Sequence, residues 1–303
     1  MTDGKVVVAG GSGRIGRALA AELAGEGREV VVLSRRAGGG GEPGIRSVAW
    51  DGRTVGAWAA ELEDAAGVVN LAGEDIAGGR WTEARKRRLL DSRVATTGAL
   101  VEAIRRARRP PAALLQASAV GYYGNRGDEA LDEDSAPGAG FLPEICVAWE
   151  NASAPVEALG VCRVVLRTGL VLAREGGALP EMARPFRFGV GGPLGDGRQW
   201  MPWIHLADET GAIRHLLARA DARGPFNLVA PEPATNEAFS RALARALGRP
   251  SLLRAPAFAL RLALGEMADM LLGGQRPAPR RLLEAGYRFR FPALEPALAD
   301  LLG

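Results

Sequence analysis

The stretch Val6-Val7-Val8-Ala9-Gly10-Gly11-Ser12-Gly13-Arg14-Ile15-Gly16 passes from a strand-like apolar run through a glycine-rich turn into an amphipathic run reaching residue 24. The turn satisfies two overlapping spacings, Gly11-x-Gly13-x-x-Gly16 and Gly10-x-x-Gly13-x-x-Gly16. Side chains at these positions would hold a pyrophosphate away from a helix N-terminus, whose unpaired N–H groups and positive dipole end attract it. The strand before the turn and the helix after it favour a dinucleotide site over a merely structural turn. About twenty positions further on, where an acid would bind a ribose 2′-hydroxyl, stand Ser34, Arg35 and Arg36. A hydroxyl and two guanidinium groups suit a 2′-phosphate, so NADP(H) is expected ahead of NAD(H). An exposed basic turn in an arginine-rich chain is the other reading.

Outward from the turn, short β-branched runs at 5–9, 29–34, 46–50, 67–71, 114–117 and 161–167 alternate with helical stretches such as 14–24 and 82–107. Runs of near-continuous apolar character predict strands buried on both faces, the signature of an α/β, doubly wound parallel sheet, the Rossmann fold. After Arg167 the pattern breaks into Gly/Pro-rich connections, including Gly176-Gly177 and Gly189-Val190-Gly191-Gly192-Pro193-Leu194-Gly195, with helices near 207–219 and 236–247. This divides the chain into a dinucleotide-binding domain over 1–168 and a smaller, irregular C-terminal substrate lobe over 169–303, with part of the later chain free to return to the first domain.

The 303 residues carry a formal charge of only +3, with the basic residues spread along the chain, which argues against a nucleic-acid partner. Lys5 and Lys86 are the only lysines among 38 basic residues, a bias toward arginine that restricts the chemistry. No apolar run reaches the ~18 residues of a membrane span, and no leader precedes the first strand, so a cytoplasmic protein without a membrane partner is expected. Two cysteines, Cys146 and Cys162, are too few for a disulfide framework or a cysteine metal site, and no metal is expected. Long amphipathic helices fit a monomer or a homodimer equally well.

The glycine turn, Asn70-Leu71-Ala72-Gly73-Glu74, Ser92-Arg93, Ser118-Ala119-Val120-Gly121-Tyr122-Tyr123-Gly124, Trp149-Glu150, Arg167-Thr168-Gly169-Leu170-Val171-Leu172 and Trp203-Ile204-His205 together resemble the extended short-chain dehydrogenase/reductases. These include nucleotide-sugar epimerases and dehydratases. The chain is most similar to an atypical branch, NAD-dependent epimerase/dehydratase-like, with its own C-terminal segment. Gly191–Gly195, Gly265-Glu266 and Gly286-Tyr287 extend the resemblance over nearly the whole chain. It implies cofactor contacts from Gly10, Gly11, Ser12, Gly13, Arg14, Ile15 and Gly16 around the diphosphate. It further implies Ser34, Arg35 and Arg36 at the 2′-phosphate, and Leu71, Ala72 and Gly73 beside the adenosine-side ribose. Arg93 reaches back to the cofactor in this reading, unless it is simply one more solvated guanidinium, and Ser118 and Val171 lie near the nicotinamide end.

The usual members of that family use a Tyr-x-x-x-Lys helix, and here the motif is missing. The tyrosines are Tyr122, Tyr123 and Tyr287, none followed by lysine four residues later, and the matching register carries Cys146 and Glu150. A carboxylate cannot supply the lysine's positive charge. The remaining candidates are Ser118, at the carboxyl end of a strand where it could polarise a carbonyl, and Tyr122 as a proton donor, with packing as its alternative. Glu150 is either a buried acid or base or an exposed helical glutamate, and Cys146 reads as an inert core thiol. Gln199, Trp200, Trp203 and His205 are candidate lining for a substrate pocket, though His205 alone more readily reads as core. The run Arg85-Lys86-Arg87-Arg88 reads as a solvated face. The leading expectation is an NADP(H)-dependent oxidoreductase of a small-molecule substrate. The alternatives are a nucleotide-sugar epimerase or dehydratase and a non-catalytic NADP(H)-binding redox sensor.

Overall fold

A computed structural model describes residues 4–35 and 43–303. Arg36 and the glycine-rich run 37–41 lie outside the described residues. In chain order the strands are Val6–Ala9 (β1), Val30–Ser34 (β2), Ile45–Ala49 (β3), Gly67–Asn70 (β4), Ala113–Ala119 (β5), Ala130–Leu131 (β6), Cys162–Thr168 (β7), Leu170–Leu172 (β8), Trp200–Met201 (β9), Trp203–His205 (β10), Gly224–Leu228 (β11), Ala234–Thr235 (β12) and Arg276–Pro277 (β13). The helices are Arg14–Gly25 (α1), Glu83–Arg106 (α2), Phe141–Ser153 (α3), Ala178–Arg187 (α4), Leu206–Leu217 (α5), Asn236–Ala246 (α6), Ala257–Leu264 (α7), Ala268–Leu272 (α8), Arg280–Glu284 (α9) and Leu294–Leu302 (α10).

Seven strands form one parallel sheet in the order β11-β7-β5-β4-β1-β2-β3. From β1 the chain builds outward through β2 and β3, then crosses back to β4 and builds the other way. The reversal leaves a crevice at the carboxyl ends of β1 and β4, where doubly wound sheets bind ligands.

Strand periodicity explains why both faces are covered. Val6, Val8, Val30, Val32, Val69 and Leu115 point to one side, where α1 and α5 pack through Leu19, Leu23, Ile213 and Leu216. Val7, Val31, Leu33, Val68 and Leu114 point to the other, against Leu100 and Ile104 of α2 and against Trp58 and Leu62. The expectation of two buried faces fails at β3, where Arg46, Ser47 and Ala49 are exposed. As an edge strand β3 has a single neighbour, and Arg46 turns outward to pair with Glu29 and Glu61.

After Thr168 the chain returns to this sheet, through α5 on the α1 face and through β11 as the seventh strand. The remainder forms its own cluster around Trp203, Phe239 and Leu298, joining α4, α6 and α10. Asp208, wholly buried in α5, fastens the C-terminal segment: its carboxylate accepts from Arg290 N at 2.7 Å, Phe291 N at 2.9 Å and the Tyr287 hydroxyl at 3.0 Å. Among the described residues no helix is long and apolar enough to cross a membrane.

Candidate functional site

The glycine turn is shaped by close approaches on its inner side and by open space on its outer side. Gly10 has φ +78°, and a Cβ there would lie 2.7 Å from Leu71 C and 2.8 Å from Ala72 N, so Leu71 and Ala72 press against the turn. Asn70 fixes them in place: buried, it donates to Thr97 Oγ1 at 3.1 Å and Gln116 Oε1 at 2.9 Å while accepting from Ala72 N at 3.2 Å. A Cβ on Gly16 would come within 2.6 Å of Gly10 O and Gly11 Cα, which is how α1 packs so closely on β1. Gly13 differs, because a Cβ there would meet only Gly10 O, at 3.2 Å.

Gly13 caps α1 without a side-chain hydrogen bond, and no acid stands in the first turn. The helix thus presents unshielded N–H groups beside bare, exposed backbone at Ser12 and Gly13. These residues fit the diphosphate of a dinucleotide, which would be held by backbone N–H groups with chemistry left to its far end. Arg14 lies alongside, its Nε donating to Glu175 O at 3.0 Å, and Ile15 packs partly into the core.

Ser34 closes β2 and Arg35 is exposed next to it, on the rim of an open depression of about 590 Å³ shared with Trp50, Asp51, Thr54 and Trp58. Sequence reasoning passed over Asp51. Its position just beyond the third strand, on the same sheet edge, was the available signal.

The far end of the crevice holds a polar network that the sequence did not reveal. Ser118, near the end of β5, donates its hydroxyl to Glu150 Oε1 at 2.7 Å. Arg167, near the end of β7, grips the same carboxylate with two bonds, Nε to Oε1 at 2.9 Å and Nη2 to Oε2 at 3.0 Å. The exposed-glutamate reading of Glu150 is therefore corrected. Neighbouring parallel strands place Ser118 and Arg167 directly opposite each other, and Glu150 reaches them from α3, one turn beyond Cys146.

The side chains of this ion pair are only 5% and 12% exposed, so each needs the other. Burial works against the Arg167 cation, but the hydrogen bonds and charge of Glu150 outweigh it and hold its pKa above the ordinary value. The remaining Arg167 nitrogen, Nη1, donates to the Tyr123 hydroxyl and to Glu133 O, both at 3.1 Å, and Tyr123 donates to Asn227 Oδ1 at 2.7 Å. Burial pushes the Tyr123 phenol up to about 12, which suits it to structure more than to proton transfer. The Tyr122 ring lies 3.5 Å from the Arg167 guanidinium carbon, and its hydroxyl has no hydrogen bond among the described residues. Ser118, Tyr122 and Glu150 are thus brought together, with Arg167 as the member that sequence reasoning missed as a site residue.

Cys146 is core: burial, with Glu150 nearby, pushes its thiol up to about 12. Arg93 sits between α2 and α3, its guanidinium carbon 4.9 Å from the Trp149 ring centroid and its Nη1 donating to Leu89 O at 3.1 Å. Gly73 leaves it room, since a Cβ there would touch the same guanidinium at 3.4 Å. Val171, on β8 beside Ile204, is half-buried.

Other sequence candidates lie elsewhere. Trp203 is a core side chain, and His205 caps α5 by accepting from Ala207 N at 3.0 Å while stacking on Phe291. Gln199 is tied to the backbone at Leu194 and Leu271, and Trp200 donates to Asp128. The four do not line one pocket, because alternation turns Trp203 and His205 inward. The basic run is only partly solvated: Arg85 pairs with Glu74, and Lys86 with Glu83 and Glu266. A further buried acid, Glu209, accepts from Thr168 Oγ1 at 2.8 Å, has a second oxygen without a partner among the described residues, and is pushed up to about 8 by burial. In the sequence it looks like any acid in a first helical turn.

A family model described as the NAD dependent epimerase/dehydratase family matches residues 6–229, and one described as a domain of unknown function, DUF1731, matches 255–301. Epimerase family protein Mb2239 of Mycobacterium bovis is 42% identical over 299 residues, covering 98% of this chain and 97% of that protein. Human epimerase family protein SDR39U1 is 39% identical, covering 98% and 99%. The crystal structure of human SDR39U1 (isoform 2) with NADPH superposes with a TM-score of 0.88 at 38% identity, over 98% of this chain and 99% of that one. A nucleoside-diphosphate sugar epimerase from Corynebacterium glutamicum superposes with a TM-score of 0.81 at 34% identity, over all of this chain and 59% of that one. On a family match spanning both the glycine turn and the Ser118–Glu150–Arg167 network, the chain belongs to the NAD-dependent epimerase/dehydratase family.

Proposed function

We propose that this protein is an NADP(H)-dependent oxidoreductase of a small-molecule substrate, in which the Ser118–Glu150–Arg167 network takes over the work of the missing tyrosine and lysine. The observation that carries the reading is the Ser118 hydroxyl aimed at a carboxylate that Arg167 holds bidentately. A bound nicotinamide dinucleotide would exchange a hydride with the substrate carbon. In the oxidative direction the substrate hydroxyl gives its proton to Ser118 Oγ as the Ser118 proton passes to Glu150 Oε1. Arg167 holds the Glu150 carboxylate in place with two hydrogen bonds, and its own charge stabilises negative charge developing nearby. Tyr122, half-buried and stacked on that guanidinium, its hydroxyl without a hydrogen bond among the described residues, is the second proton donor of the site.

The preference for NADP(H) rests on Ser34 and Arg35 at the end of β2 and is supported by the NADPH-bound human neighbour. Calorimetric titration with NADPH and NADH tests it. NADPH binding at least tenfold tighter, with the preference lost in Arg35→Ala, is the expected result, and tight NADH binding without NADPH binding overturns it. Epimerisation or dehydration of a nucleotide sugar is a second reading, favoured by the name of the Corynebacterium neighbour. It requires cofactor that stays bound through turnover.

A further inference from the structure

Glu209 is an acid without a counter-charge. It stands in the first turn of α5 with no exposed surface, and its carboxyl group has one hydrogen bond, from the Thr168 hydroxyl to Oε1 at 2.8 Å. Oε2 is buried without a partner among the described residues. Burial of this kind disfavours the ionised form, and the Thr168 bond offsets it only in part. The charged groups on the elements packed around α5 are engaged elsewhere. On α1, Arg14 donates to Glu175 O, Arg17 is exposed, and Glu22 and Glu26 hold Arg214. On β7, Arg163 pairs with Glu157, and Arg167 holds Glu150 on the other side of the sheet. His205 of β10 faces Asp300, and Tyr287 of the C-terminal segment bonds Asp208, while β5 and β8 carry no titratable side chain.

Its position ties this acid to the reactive end of the crevice. Arg167 and Thr168 are consecutive at the end of β7, so alternation sends one side chain to Glu150 and the other to Glu209. Thr168 lies opposite Ala119, the residue after Ser118. The apolar cluster on the α5 side of the sheet takes in Ile15 from the first turn of α1 and Val171 from β8. Glu209 therefore sits behind the strand ends that present Ser118, in surroundings of low polarity where a unit charge placed at that edge acts on it with little screening.

We propose that Glu209 responds to the charge of the nicotinamide, keeping its proton while the reduced, uncharged ring is bound and releasing it to solvent when the oxidised, positively charged ring is bound. The carboxylate then supplies from behind the sheet a negative charge that the Glu150–Arg167 pair, closed on itself, does not. This rests on the dinucleotide reading given above. By linkage, a proton released on binding NADP⁺ and retained on binding NADPH makes NADP⁺ bind better relative to NADPH as pH rises. The adenosine 2′-phosphate titrates in both ligands and cancels from the ratio of their affinities.

Calorimetric titrations of the wild type with NADP⁺ and NADPH, from about pH 6 to about pH 9, are expected to show the Kd of NADP⁺ falling about tenfold relative to that of NADPH. Glu209→Gln has no proton to release, and its ratio is expected not to vary with pH. Thr168→Val removes the hydrogen bond that favours the ionised form, so the fall should move to higher pH, a comparison that stands if the glutamine variant does not fold. A wild-type ratio that does not vary with pH, a fall that persists in Glu209→Gln, or one that stays at the same pH in Thr168→Val overturns the proposal. Wild-type protein that binds neither ligand at any pH overturns the dinucleotide reading itself.

Discussion

The glycine turn and the Ser118–Glu150–Arg167 network lie on one edge of one sheet, yet they are built on opposite principles. The turn is made of contiguous residues whose main requirement is the absence of side chains, so that backbone N–H groups stay accessible. The network is made of three side chains from β5, α3 and β7 bonded to one another, with Arg167 further held by Tyr123 and Glu133. The first keeps its binding groups open for a ligand, whereas the second closes its strongest charges on each other. Binding capacity therefore resides in backbone, and reactivity in a cooperative cluster whose members fail together.

The sharpest way to break this contrast is to remove one charge from the cluster. Arg167→Met leaves Glu150 buried and unpaired and is expected to lower unfolding free energy by about 3–5 kcal/mol in urea titrations, with cofactor affinity of the folded fraction little changed. Pairing it with Glu150→Met should restore most of the loss. A single variant as stable as the wild type would mean that the ion pair contributes no structural coupling.

A second test uses pH. Burial raises the Glu209 pKa from 4.5 to about 8, so the folded state binds a proton that the unfolded state releases between those values. Its contribution to stability is undiminished below pH 4.5 and is lost progressively as pH rises toward about 8. Glu209→Gln should therefore gain on the wild type as pH increases through that window, read as a widening difference in urea midpoints. A difference that does not vary with pH removes the buried neutral acid from the account.

The turn itself is sharpened by comparing two of its glycines. Gly16→Ala drives a Cβ into Gly10 and Gly11 and is expected to cost about 1–3 kcal/mol in thermal or urea unfolding. Gly13→Ala meets only one backbone oxygen, so its stability should change far less while its NADPH affinity falls. Equal stability losses in the two variants would erase the distinction between the inner and outer sides of the turn. The smallest effect is expected at Cys146. Cys146→Ala should cost about 1 kcal/mol and leave cofactor affinity unaltered, as befits a thiol that only fills space.

The same contrast explains what the sequence reveals. Buried β-branched runs mark β1, β2 and β4 to within a residue or two, because a strand covered on both faces has no polar alternation to confuse it. Glycine spacing marks the turn because its constraint is local. Arg167 was hidden among many arginines, since its partner lies seventeen residues away on a different element and only the packing of α3 onto the sheet brings the two together. Glu150 was visible only as a register position, and sequence alone does not separate a solvated helical carboxylate from a gripped one. Trp203 and His205 carry a related ambiguity, because an aromatic-polar alternation describes a core strand that caps a helix as well as it describes a pocket wall, and both side chains are buried, as the core reading of His205 expects.

The central claim is that the open turn orients a dinucleotide toward the closed network, and a crystal structure of the protein soaked with NADP⁺ tests it most directly. The account predicts electron density with the adenosine 2′-phosphate at Ser34 and Arg35, the diphosphate on the N-terminus of α1, and the nicotinamide ring facing the Ser118 hydroxyl with the Glu150–Arg167 pair intact. Density that places the nicotinamide away from Ser118, or the cofactor away from the glycine turn, contradicts it.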